Sequence, residues 1–61
     1  MTEINFLRFR IKNNDYHIVG LELREHNKWT YFIKNVTNGN RMDMSKEKLL
    51  KLLKNYEYEI I

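Results

Sequence analysis

The run Arg41-Met42-Asp43-Met44-Ser45-Lys46-Glu47-Lys48-Leu49-Leu50-Lys51-Leu52-Leu53-Lys54-Asn55 holds the one sharp change of texture in this chain. Up to Met44 apolar residues tend to recur every second position; after Ser45 they recur every third or fourth, which marks a passage from strand to helix. Ser45 suits a helix N-cap, because its hydroxyl can accept a first-turn N–H that has no helical partner, and Glu47 favours the positive end of the dipole. Met44 and Leu49 stand at the staple positions on either side of the cap. Leu49, Leu52, Leu53 and Tyr56 form one apolar stripe with Leu50 beside it, and Lys46, Lys48, Lys51 and Lys54 face water. Asn55 is expected to stop the helix in a left-handed conformation. Tyr56-Glu57-Tyr58-Glu59-Ile60-Ile61 then alternates like a short fifth strand, a reading favoured over a helix that runs to the end.

Upstream, four strands are expected at Ile4 to Lys12, Tyr16 to Arg24, Lys28 to Val36 and Arg41 to Met44. The connections are of hairpin length, so neighbours should pair antiparallel in a meander. A two-residue Asn38-Gly39 turn would set Ile33 opposite Met44 and Lys34 opposite Asp43. A three-residue loop at Glu25-His26-Asn27 aligns Leu23 with Trp29, Leu21 with Tyr31 and Val19 with Ile33. A similar loop at Asn13-Asn14-Asp15 aligns Phe9 with Val19 and Leu7 with Leu21. The expected architecture is an α+β fold, an antiparallel four-stranded β-meander with one C-terminal helix packed on one face (ββββα).

Sixty-one residues without cysteine make one small domain, 1–61, with neither disulfides nor thiolate metal sites to support it. Eleven basic against eight acidic residues give a net charge of +3, a modest basic excess. No apolar run approaches the length of a membrane span, and Glu3, Arg8 and Arg10 break any signal-peptide pattern, so a cytoplasmic protein with no membrane role is expected. Eight Asn, seven Lys and six Ile with no Ala, Pro or Gln suit an AT-rich genome, such as that of a low-GC bacterium, its phages or its plasmids.

In these registers the helix covers Leu7, Phe9, Ile11, Val19, Leu21, Leu23, Trp29, Tyr31, Ile33 and Met44. The opposite face then carries Phe6, Arg8, Arg10, Lys12, Tyr16, Ile18, Gly20, Glu22, Arg24, Lys28, Thr30, Phe32, Lys34, Arg41 and Asp43, with seven basic and two acidic side chains. Positive groups attract phosphates without regard to sequence, and aromatic rings offer stacking platforms to unpaired bases. Arg8, Arg10, Lys12, Lys34 and Arg41 are therefore candidate phosphate contacts, with Phe6, Phe32 and Tyr16 as stacking platforms for single-stranded nucleic acid. The order of strands followed by a helix opened by Ser45-Lys46-Glu47-Lys48-Leu49-Leu50 is similar in outline to single-strand-binding transcriptional coactivators, with no motif match beyond the outline.

Blander readings attach to the same residues. An antiparallel sheet normally leaves one charged face in water, a ring over Gly20 stabilises a strand glycine, and Arg8, Arg10 and Lys12 can guard an edge. The alternative from another class is a phage- or mobile-element-type adaptor or inhibitor that binds a host protein, such as a defence nuclease or polymerase, through Phe6 and Phe32 on this face or through an edge strand. A homodimer that pairs the strands at Phe6 to Ile11 and Tyr56 to Ile61 across a two-fold is a further expectation. An enzyme is not expected: Ser45 is the only serine and is spoken for as a cap, His17 and His26 lack metal-ligand company, and Gly20 and Gly39 form no phosphate loop. Neither cofactor nor metal is implied.

Overall fold

The computed structural model describes residues 4–61. In chain order it contains β1 (Arg8–Ile11), β2 (Asn14–Arg24), a 3-10 turn (Glu25–Asn27), β3 (Lys28–Asn35), β4 (Arg41–Ser45), α1 (Lys46–Asn55) and β5 (Tyr58–Ile60). The strands form one antiparallel sheet in the order β4-β3-β2-β1-β5, and the helix packs against one face. This is the expected α+β meander with its short fifth strand.

Ser45 caps α1 as its chemistry suggests, the Lys48 N–H donating to its Oγ at 3.2 Å. The helix ends after Asn55, yet not through a left-handed residue there. Tyr56 is already extended, at φ −125°, and its N–H donates to Leu52 O. The chain then runs back along β1, with Phe9 opposite Ile60 and Ile11 opposite Tyr58. The two segments expected to pair across a two-fold thus pair with each other inside one chain. Of the segment before β1, residues 1–3 lie outside the described part.

Three registers decide which side chains share a face. The loop Glu25–Asn27 has the expected length, with His26 and Asn27 both at positive φ, and Leu23 faces Trp29 and Leu21 faces Tyr31. The first hairpin differs from expectation. Its turn is the two residues Lys12 and Asn13, Lys12 taking φ 57°, so Phe9 lies opposite Tyr16 and Arg10 opposite Asp15. That register stacks the Phe9 and Tyr16 rings 5.2 Å apart and joins Arg10 to Asp15 at 2.6 Å. A bulge at Val19 reconciles it with the second hairpin: Gly20 pairs with Phe32, but Ile18, not Val19, pairs with Ile33. One extra residue reverses the phase of the strand, so Tyr16 and Ile18 face the helix along with Leu21 and Leu23. Val19 is left exposed.

The third hairpin also departs from expectation. Its register is shifted by two residues, so Ile33 faces Met42, Lys34 faces Arg41 and Phe32 faces Asp43. Asn35 is the cause. Buried at the strand end, its Oδ1 accepts the N–H groups of Thr37 and Asn38, its carbonyl accepts that of Gly39, and its own N–H donates to Asn40 O. The loop therefore runs from Val36 to Gly39, and Gly39 supplies the positive φ of 80° that closes it. Thr37 Oγ1 in turn accepts the Asp15 N–H, tying this loop to the first hairpin.

The core consists of Phe9, Ile11, Ile18, Tyr31 and Ile33 under Leu49 and Leu53 of α1, with Ile4, Phe6, Tyr16, Met44, Leu52 and Tyr58 packed around it. Phe6, expected on the open face, stacks on Tyr58 and meets Phe9 edge-on.

Candidate nucleic-acid interface

The face turned away from α1 is built by alternation from the registers above. It presents Arg8 and Arg10 on β1, Asp15, His17, Gly20, Glu22 and Arg24 on β2, Lys28, Thr30, Phe32 and Lys34 on β3, Arg41 and Asp43 on β4, and Glu59 on β5. Six basic and four acidic side chains make it less positive than the sequence pattern predicts. Lys12 leaves this face for the β1–β2 turn, where its Nζ lies 5.7 Å from the centre of the Tyr56 ring, beside the end of α1. Asp15 and Glu59 join the face. Phe6, Tyr16 and Ile18 belong to the other side, which leaves Phe32 alone among the expected stacking rings.

The charges are not evenly spread. Arg8 lies opposite His17, His17 opposite Lys34, and Lys34 opposite Arg41, so four nitrogen-bearing side chains form one row straight across β1, β2, β3 and β4. Arg8 and Arg41 at its ends are exposed, and His17 and Lys34 between them are half-buried. Among the described residues Arg8, Lys34 and Arg41 make no ion pair. Three of the four acidic groups of the face are engaged elsewhere. Asp15 binds Arg10, whose hydrogen bond holds the Asp15 carboxyl below the usual carboxylate range, and the same bond holds the guanidinium of Arg10 above its ordinary value. Glu22 and Asp43 lie 3.8 and 3.6 Å from Arg24, which sits over the Phe32 ring at 5.6 Å.

Beside the row, a shallow hollow of about 350 Å³ is lined by Val19, Phe32, Ile33, Arg41, Met42 and Asp43. It brings the one aromatic ring of this face next to Arg41, which makes no ion pair among the described residues. A larger open hollow, of about 760 Å³, lies between the end of α1, β1 and β5, where Arg10, Lys12, Glu57 and Glu59 give it mixed charge. Among the described residues no group of three or more His, Asp or Glu side chains could hold a metal ion, and no helix is long and apolar enough to cross a membrane.

Of the expected site residues, the structure thus brings together Arg8, Lys34, Arg41 and Phe32, keeps Arg10 on the same face in an ion pair, and separates Phe6, Lys12 and Tyr16 from them. His17 joins the group unforeseen. Its signal lies in the phase reversal at Ile18-Val19-Gly20, where two adjacent apolar residues and a glycine interrupt strict alternation. Searches among known protein families, curated proteins and solved structures find no match to this chain.

Proposed function

We propose that the protein is a non-enzymatic binding module that holds single-stranded nucleic acid by its phosphates, along the row Arg8, His17, Lys34 and Arg41. The observation that carries this reading is the row itself. Like charges set directly opposite one another destabilise a sheet, as Lys34 and Arg41 do here, and the two further pairings through His17 bring no acid into the row. An anion laid along it offsets that repulsion. Three inter-strand steps of about 4.8 Å give a track of about 14 Å, long enough to meet a short run of consecutive phosphates of one strand.

With one ring on the face, base stacking is a minor part of the reading. Phe32 and the hollow beside Arg41 offer a seat for one base, so little sequence preference is expected. The protein-partner alternative on this face loses Phe6 to the core and is less well supported there.

The test is a titration of labelled single-stranded and duplex oligonucleotides at two salt concentrations. Micromolar binding that weakens steeply with salt is expected, tighter for the single strand. Arg8→Ala with Arg41→Ala should flatten the logarithmic salt slope by about 0.7 for each phosphate no longer neutralised. Arg10→Ala, whose guanidinium is already occupied by Asp15, should change it little. Binding that ignores salt, or no binding to either oligonucleotide, would reject the reading.

A further inference from the structure

Beyond its bulge, β2 has a neighbouring strand on one side only among the described residues. β1 pairs with residues 14–17 of β2, and the last main-chain bond between these segments is Ile18 N–H to Leu7 O at 2.8 Å. From Gly20 to Arg24, among the described residues, β2 pairs with β3 alone. Within one strand, residues that share a face also send their N–H and C=O groups to the same side. Ile18 faces the helix and bonds toward β1. Leu21 and Leu23 face the helix too, so their main-chain groups point to the open side and, among the described residues, meet no strand there. Their side chains are likewise uncovered: Leu21 is 53% exposed, Leu23 51%, and Trp29, opposite Leu23, 46%.

We propose that this edge receives a second copy of the chain, β2 pairing antiparallel with the partner's β2 about a two-fold axis at Glu22. Leu21 then lies opposite the partner's Leu23, and Leu23 opposite the partner's Leu21. All the free N–H and C=O groups of these two residues are satisfied, and four half-exposed leucines close over one another on the helix side. On the outer side the two Glu22 carboxylates approach, each with Arg24 of its own chain 3.8 Å away to offset the repulsion. Such a contact is isologous, as a two-fold requires. The other long edge fits less well, because β4 presents exposed Arg41 and Asp43 and leads straight into α1. Pairing at β2 joins two sheets into one continuous sheet with both basic rows on the same side, although the dimer stands independently of nucleic-acid binding.

Sedimentation equilibrium from micromolar to millimolar concentration, without nucleic acid, tests this directly, together with amide exchange at Leu21 and Leu23. The mass should rise toward twice the monomer value, and exchange at these two amides should slow as concentration increases. Leu23→Lys should weaken association at least about tenfold while its circular dichroism stays that of the native chain. A monomer at millimolar concentration overturns the proposal, as does a dimer in which both amides exchange as fast as at the lowest concentration. The amide measurement needs no variant, so a misfolded Leu23→Lys protein leaves the test intact.

Discussion

The two halves of β2 follow the same rule of alternation and end in different surroundings. From Asn14 to Ile18 the strand is sandwiched between β1 and β3, and its inward residues belong to a core in which Phe9 and Leu49 are 0% exposed. From Gly20 to Arg24 the inward residues are leucines with half their surface in water. Alternation decides which way a side chain faces, while the reach of the covering element decides whether it is buried. A ten-residue helix is about 15 Å long, and the ten steps along the eleven residues of β2 extend at most about 33 Å. The helix cannot cover the strand, and its leucines at 49 and 53 settle over the end where β1 widens the sheet.

The largest test of this contrast sets Phe9→Ala against Leu23→Ala in urea unfolding. Phe9→Ala should cost about 3 to 5 kcal/mol, enough to unfold a domain this small, whereas Leu23→Ala should cost less than about 1 kcal/mol; equal costs would erase the distinction. Next comes Asn35→Ala. It strips the cap from the third hairpin and removes the acceptor for two loop N–H groups, for a loss of about 1 to 3 kcal/mol by the same measurement.

Gly20→Ala probes the boundary between the halves. An added Cβ would meet Phe32 Cδ2 at 3.5 Å, an ordinary contact, and Gly20 has no positive φ, so a gain of about 0.5 kcal/mol is expected from the stiffer unfolded chain. A loss there would mean that the bulge needs glycine for its backbone. The smallest effect belongs to the Arg10–Asp15 pair. Because the Asp15 carboxyl is held below its ordinary range, its contribution is complete above about pH 4 and disappears as pH falls through the lowered value. Asp15→Asn should therefore reduce slightly the difference in melting temperature between pH 7 and pH 3.

The same contrast explains what can be read in the sequence. The helix, its Ser45 cap, the strand order up to β4 and the Leu23–Trp29 register all rest on local chemistry that one residue or one short pattern carries. The first hairpin rests on a balance: Arg10 with Asp15 and Phe9 with Tyr16 favour a two-residue turn, and only the bulge further along β2, at Val19, makes that turn compatible with the second hairpin. Treating β2 as one unbroken period of two therefore sends Tyr16 and Ile18 to the wrong face and hides His17 from the basic row. Asn38-Gly39 offers a familiar tight turn, and the stronger influence of Asn35 comes from its burial, which sequence pattern does not display. Phe6 escapes alternation altogether, because the chain before β1 leaves the sheet and folds onto Tyr58, a partner supplied from the far end of the sequence.

The bulge also marks where the ladder can part. Past it, residues 23–29, beyond the last β3–β4 pair at Thr30, form a short two-stranded arm whose apolar Leu23 and Trp29 are half exposed, and such segments fray at lower free energy than the whole domain unfolds. The chain's single tryptophan, Trp29, rides on that arm. Its fluorescence is thus a gauge of arm fraying rather than of core melting, and in a denaturant series it should change ahead of the far-ultraviolet signal from the helix.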